Sequence, residues 1–366
     1  MFFFYFNYMG NIINDKSLVL GLMSGTSMDG LDISCARYYQ KYNAWNYELI
    51  ASETMTYDSK IKSDLLNTFH KVSDLEEMDV KFALCLSNYI KFFLRKYNLK
   101  IDLISSHGHT IFHDPKNGYT KQIGLGSVIA ENIGVPVVSN FRQQDINLGG
   151  QGAPLVPIGD KLLFSQYDAC INLGGIANIS FDYKEARIAF DISPCNMLLN
   201  YVSEREGALF DRDGIMAENG KIDQTFLTKL NNINYYQLSF PKSLAKEYID
   251  QIFLPIINNT LISNYDILCT LVEHIAIKIS SLLSEYNLSN AFFTGGGALN
   301  SYLMGRIKML SSTKIIIPEI DLINFKEAII FGFLGVLRIN NQVNCLSSST
   351  GARMNHSSGD IHLLQC

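Results

Sequence analysis

The sequence has no CxxC pair among its seven cysteines, and their number is odd. That fits reduced thiols in a cytoplasm better than a disulfide framework. It has no excess of base, since 30 Lys and Arg stand against 35 Asp and Glu, a formal net charge of −5. A general nucleic-acid or anionic-membrane surface is thereby excluded, and any anion must be held by a local site. No uninterrupted apolar run approaches the ~18 residues of a membrane span. The opening stretch MFFFYF is apolar but short and lacks the basic residues of a signal peptide, and Met9 is an alternative start. Neither HExxH nor GxxxxGK followed by Ser or Thr occurs, so a zinc-protease helix and a P-loop are both missing.

What is there is a folded composition, 47% hydrophobic and 18% charged over 366 residues, a length that suits two domains rather than one core. Each half follows one plan. Residues 21–32, just after the apolar run 18–20, read as the tip of a hairpin, 44–58 as a third strand, and a helical pattern over 76–97 places Val80, Ala83, Leu84, Ile90 and Leu94 at helix-like intervals. A buried strand at 101–104, a short helix at 128–132 and the strand VPVVSN follow. The Gly- and Pro-rich connector LGGQGAPLVP at 148–157 is the expected boundary. The second half repeats the order: strand, Gly-Gly turn and strand over 168–183, a third strand EARIAFDIS, a long helix at 266–286, then helices and strands to residue 339. The expected domains are residues 1–150, 151–340 and a tail at 341–366 that packs back near the cleft. Two similar α/β lobes with mixed sheets imply a cleft that holds a small molecule.

The hairpin segment GLMSGTSMDGLD, residues 21–32, holds three glycines, two serines, a threonine and two aspartates. One or two glycines satisfy a tight turn; the surplus of bare backbone and hydroxyls suits an anion, phosphate above all. Gly174-Gly175 stands at the equivalent turn of the second half, so two hairpins clamp a polyphosphate. A third stretch, TGGGALN, has Gly295, Gly296 and Gly297 at a strand end opening a helix, which suits a nucleotide. Followed by the strand KIIIPE ending in Glu319, it also looks like a dinucleotide fingerprint, although the spacing is GGGxxN rather than GxGxxG.

A rival reading rests on SHGHTIFH, where His107, His109 and His113 offer an HxH pair and a third nitrogen for zinc, as in a metal-dependent hydrolase. Gly108 there suggests a loop, and histidines that bond a polar ligand or cap a loop are the blander alternative. Asp29, in the first hairpin, is the expected oxygen ligand for a hydrated Mg²⁺. Asp191, at the end of EARIAFDIS, either projects from the sheet edge as a functional acid or caps the following helix. Arg142 and Glu327 face a substrate carboxylate or make surface ion pairs.

In order along the chain, GLMSGTSMDGLD, SHGHT, VVSNFRQQDINLGGQGAPLVP, INLGGIANIS, FDISPCN, DRDGIMAENG, TGGGALN and STGAR resemble the anhydro-N-acetylmuramic acid kinases, of the sugar kinase, Hsp70 and actin superfamily. The resemblance covers nearly the whole chain and implies two actin-like (ribonuclease H-like) lobes with a central cleft. It implies an ATP- and Mg²⁺-dependent kinase that opens the 1,6-anhydro ring of its sugar and phosphorylates O6 in cell-wall salvage. Another sugar on the same fold, or an actin-like ATPase, is the alternative. By resemblance Gly25, Thr26, Ser27, Met28, Asp29, Gly30, Leu31 and Asp32 form the ATP-phosphate loop and Gly174 and Gly175 the second phosphate loop. Gly295 to Gly297 lie near adenosine. Asp191 matches the catalytic aspartate, and His107, Thr110, Arg142 and Glu327 match positions near the sugar. Partners are small molecules, with a homodimer left open. The chain departs from the family where DTGPGN reads DISPCN, GDG reads Gly124-Leu125-Gly126, and PKSTGRE reads PKSLAKE.

Overall fold

The computed structural model describes residues 14–25, 28–71 and 74–364. The residues of the apolar opening stretch, Met9, Thr26 and Ser27 lie outside them. Two compact units are present. Unit 1 holds the residues up to Leu163 together with those from Phe325 onward, and unit 2 is Phe164–Asn324.

In unit 1, β1 (Val19–Ser24), β2 (Gly30–Lys41) and β3 (Ala44–Thr56) form an antiparallel meander. β4 (Leu103–Asp114) then joins β1 in parallel, β5 (Tyr119–Ile123) pairs with β4, and β6 (Val137–Ser139) runs parallel to β4. Unit 2 repeats the scheme. β7 (Ala169–Leu173), β8 (Ile176–Tyr183) and β9 (Ala186–Pro194) make the meander, and β10 (Asn290–Thr294) and β11 (Lys314–Ile316) extend it in parallel from β7. The strand orders β6-β4-β1-β2-β3 and β11-β10-β7-β8-β9 correspond one to one. β12 (Asp360–His362) adds antiparallel to β6 at the edge of the first sheet. The duplicated plan read from the sequence is therefore the plan of both sheets.

The helix Leu75–Lys96 starts where the Asp74 side chain accepts the amides of Glu76 and Glu77, and its last turn carries Arg95 and Lys96, each charge opposing the local end of the helix dipole. Its buried face is Met78, Phe82, Ala83, Leu86, Ile90 and Phe93, packed with Leu20, Leu22 and Ile104 on one side of the sheet. Val80 and Leu84, expected on that face, are exposed. On the other side Gly21 lets the helix Ile320–Ile339 come so close that a Cβ would stand 2.0 Å from the Ala328 carbonyl oxygen. Gly21→Ala therefore forces strand and helix apart. We expect a loss of about 1–3 kcal/mol, the scale of overpacking, read by chemical denaturation; unchanged stability would show that the approach is not constraining.

The observed division differs from the expected one at both ends. The connector at 148–157 stays within unit 1, and the chain from Phe325 returns to unit 1 rather than closing the second lobe. The contact between Gly21 and the helix Ile320–Ile339 is one reason. The tail lies in unit 1, with the Gln151 amide donating to the Thr350 carbonyl (2.8 Å) and the Arg353 amide to that of Leu148 (3.0 Å).

One described helix, Asn264–Glu285, is long and apolar enough to cross a membrane by length and composition, and most of it is buried. Glu273, His274 and Lys278 interrupt its apolar residues in sequence, so no continuous run announced it. Ile267, Leu268, Leu271, Val272, Ile275 and Ile279 place it in the core of unit 2.

Candidate active site

In unit 1 the glycine-rich hairpin joins β1 to β2. Asp29 is exposed at its tip, and the Tyr57 amide donates to its carbonyl (3.2 Å). Gly30 is required by packing, since a Cβ there would meet the Met55 carbonyl oxygen at 2.5 Å. Leu31 is 1% exposed, so its side chain belongs to the core and only its backbone remains for a ligand. Met28 packs partly on the same core. Asp32 accepts from Thr54 Oγ1 at 2.6 Å; burial raises its pKa and the Thr54 bond opposes the shift. Ser24, just before the loop, is clasped from two sides. Tyr57 donates its phenol to Ser24 Oγ (2.8 Å), and Ser24 Oγ lies 2.9 Å from His109 Nδ1.

The histidines do not gather. Gly108 lies inside β4, not in a loop, with φ +71. The β1 register passes from Leu22↔Ser106 to Ser24↔His109. The extra residue makes a bulge, which turns the following side chain to the opposite face of the sheet. His107 accordingly packs against Phe331 (ring centroids 4.8 Å apart), and His109 against Phe82 on the other helix (5.9 Å). Each lone pair is also taken. Arg142 donates to His107 Nε2 through Nε (3.1 Å) and Nη2 (2.8 Å), while His107 Nδ1 faces the Gly108 carbonyl at 2.9 Å. His107 is thus neutral with its proton on Nδ1, and burial, then Arg142, push its pKa well down. His109 Nδ1 shares a hydrogen bond with Ser24 Oγ, and burial lowers its pKa to about 4. His113 is exposed and lies 3.1 Å from Thr120 Oγ1. The three-histidine zinc reading is corrected on this geometry.

Arg142 also donates through Nη1 to the Gly152 carbonyl (2.6 Å). The edge of its fork is therefore committed to His107, and two of its five N–H donors remain by count. Burial lowers its pKa, with Glu327 the leading opposing influence. Glu327 is reached by solvent, yet the protein crowded around it raises its carboxyl pKa against the pull of Arg142. Thr110 is half-buried, with Gln122 Nε2 at 3.4 Å from its hydroxyl. Unit 1 thus brings His107, Arg142 and Glu327 into one electrostatic cluster.

In unit 2 the Gly174-Gly175 turn joins β7 to β8. Its carbonyls receive the amides of Cys195 (2.9 Å, to Gly175), Asn196 (3.2 Å, to Gly174) and Met197 (3.1 Å, to Gly175). The first amides of the helix Asn196–Ser203 are thereby satisfied by the turn. Gly295 and Gly297 owe their identity to the β7 end: a Cβ would meet Asn172 Oδ1 at 2.6 Å and Leu173 Cβ at 2.7 Å respectively. Gly296 has open space, its nearest neighbour being Asn196 Nδ2 at 3.9 Å, and it is exposed.

Asp191 sits on β9, an edge strand of its sheet, where the register passes from Ala177↔Ser193 to Asn178↔Asp191. The bulge re-aims the side chain next to it. Its Oδ2 accepts the Leu244 amide (2.8 Å) and its carbonyl the Tyr235 phenol (2.6 Å), while its own amide donates to the Lys242 carbonyl (3.3 Å). Burial raises its pKa and the Leu244 bond opposes that. The capping alternative fails, because Cys195 is the N-cap of the next helix and no side chain bonds there. Tyr235 and the segment around Leu244 were not singled out from sequence as partners of this carboxylate. The only signal was that PKSLAKE departs from the pattern expected there.

A family model described as anhydro-N-acetylmuramic acid kinase matches residues 17–363. A relative of that name from Clostridioides difficile (strain 630) is 34% identical, over 93% of this chain and 97% of its own. One from Sulfurimonas denitrificans is 30% identical, over 94% and 98%. Among solved structures, a ROK hexokinase from Thermus thermophilus aligns at 10% identity with a TM-score of 0.40, covering 87% of this chain and 99% of that one. With its duplicated sheets and a family match running from before β1 to beyond β12, the chain belongs to the anhydro-N-acetylmuramic acid kinase family.

Proposed function

We propose that the chain uses ATP to phosphorylate anhydro-N-acetylmuramic acid on O6 while water opens the 1,6-anhydro bond, giving N-acetylmuramic acid 6-phosphate. The observation that carries this reading is the carboxylate of Asp191, oriented by a backbone amide and shifted upward in pKa by burial. Such a group is a stronger base than an exposed aspartate, and its ionised form is the one that accepts a proton. It takes a proton from water as the water oxygen bonds to C1. The C1–O6 bond breaks as that bond forms, and O6 becomes the acceptor for the γ-phosphoryl group. Within unit 1, His107 and Arg142 orient the sugar, with Thr110 and Glu327 beside them.

The first hairpin and the Gly174-Gly175 turn take the phosphates of ATP, and Gly296, the open member of its triplet, is the glycine that faces adenosine. Asp29 fits Mg²⁺, since it is an exposed hard oxygen donor beside a glycine-rich turn and suits an ion that keeps most of its water. When bound, Mg²⁺ neutralises phosphate charge. The site belongs to a cytoplasmic enzyme of cell-wall salvage, in keeping with the free thiols of the described cysteines.

The test is incubation with ATP, Mg²⁺ and the anhydro sugar in ¹⁸O-water. We expect one ADP per sugar 6-phosphate and the label at C1. ADP release that ignores the sugar would favour the ATPase reading, and turnover only with another hexose the other-sugar reading.

A further inference from the structure

We infer that Asp145, Cys345 and His356 form a metal site of zinc type within unit 1. The three are buried, and their ligand atoms all lie within 4.8 Å of one another. Cys345 Sγ is 3.2 Å from Asp145 Oδ1, and His356 Nε2 is 3.6 Å from the same oxygen. A tetrahedral ion at ordinary Zn–S, Zn–N and Zn–O lengths sets sulfur and oxygen about 3.5 Å apart and nitrogen and oxygen about 3.3 Å apart. These two edges are close to those of a filled tetrahedron.

The orientation of His356 is the second observation. Its Nδ1 lies 3.2 Å from the Met354 carbonyl. A carbonyl only accepts, so Nδ1 carries a proton and the neutral ring presents a lone pair at Nε2. That nitrogen is buried and has no hydrogen-bond partner. A lone pair aimed at a carboxylate oxygen is repulsive unless a cation lies between them. A backbone carbonyl on the far nitrogen is also how metal-ligating imidazoles are commonly held.

The backbone prepares the arrangement. Cys345 and His356 exchange amide hydrogen bonds of 3.1 and 3.2 Å across an isolated bridge, which sets their side chains together. Asp145 is fixed by the Gly152 amide on Oδ2 (2.7 Å) and by the Thr350 hydroxyl on Oδ1 (2.7 Å). A water supplies the fourth position. A thiolate with an imidazole selects zinc over magnesium. On binding, the Cys345 thiol loses its proton to solvent and its sulfur bonds the ion, with no change of oxidation state.

The test uses the whole chain, stripped with a chelator under reducing conditions and titrated with Co²⁺. We expect one equivalent to bind with a thiolate-to-cobalt charge-transfer band and tetrahedral d–d bands, displaced by Zn²⁺, and Zn²⁺ to raise Tm. Cys345→Ser should abolish the charge-transfer band. His356→Gln, which keeps every thiol, should weaken Co²⁺ binding tenfold or more. A wild-type chain without the band, or either variant binding Co²⁺ as wild type does, overturns the site. The lone pair then faces a proton rather than a metal.

Discussion

Asp191→Asn folds, binds both substrates and turns over at least about 10²–10⁴-fold more slowly, the range of a general base. Asparagine is nearly isosteric, and its oxygen can still accept the Leu244 amide that holds Asp191 at 2.8 Å. What disappears is the ability to take a proton as water attacks C1. The loss exceeds that of a simple base, because without ring opening no O6 nucleophile forms for the phosphoryl group. The wild-type pH profile carries the same signature. Burial raises the Asp191 pKa above 3.8, and only the ionised form is a base. The acid limb of kcat/KM therefore lies above the ordinary aspartate range, activity falling as pH falls through the raised value. Steady-state kinetics, ligand titration and thermal melting separate chemistry from folding. A variant that keeps more than about a tenth of wild-type kcat removes Asp191 from the proton-transfer role.

Arg142→Lys weakens sugar binding and leaves ATP affinity near wild type. One guanidinium reaches the His107 ring through two nitrogens and the Gly152 carbonyl through a third. An ammonium on a shorter, unforked stem cannot hold both. Loss of one charged hydrogen bond costs about 1.5–3 kcal/mol, roughly 10- to 150-fold in affinity. Part of that arises through His107, which loses the donor that fixes its ring. Calorimetric titration of the two ligands decides the matter; a fall in ATP affinity with sugar affinity intact would place Arg142 on the nucleotide.

The hairpin–strand–helix repeat was legible because it is local: glycine turns, alternating strands and capped helices are written within a dozen residues. Phase was harder. The period of the helix Leu75–Lys96 was plain, yet Val80 and Leu84 turned out exposed while Phe82 and Leu86 are buried. Several adjacent apolar residues allow more than one stripe, and only the sheet beneath decides between them. The candidate site shows the same limit. Asp191 was visible as an acid at a strand end, but the amide that orients it comes from Leu244, 53 positions away. Arg142 was read as facing a carboxylate or a surface ion pair, whereas the edge of its fork is spent on His107, 35 positions away. Gly108 was read as a loop residue because a glycine among polar neighbours usually marks one. Here it makes a bulge inside β4, and that single extra residue is what separates His107 from His109.

The way the chain enters and leaves its two units sets an order of events on the ribosome. Unit 2 is one unbroken segment, whereas unit 1 is completed only by the residues from Phe325 onward. Domains tend to fold as their residues emerge. The strands β1 and β6 must therefore wait: the sheet face at Gly21 is covered by the helix Ile320–Ile339, and β6 gains its neighbour β12 only once residues 360–362 have emerged. The inserted unit is ready sooner, although its code comes later. Nascent chains that stop short of Phe325 should hold a protease-resistant second unit beside a first unit that is still open to cleavage.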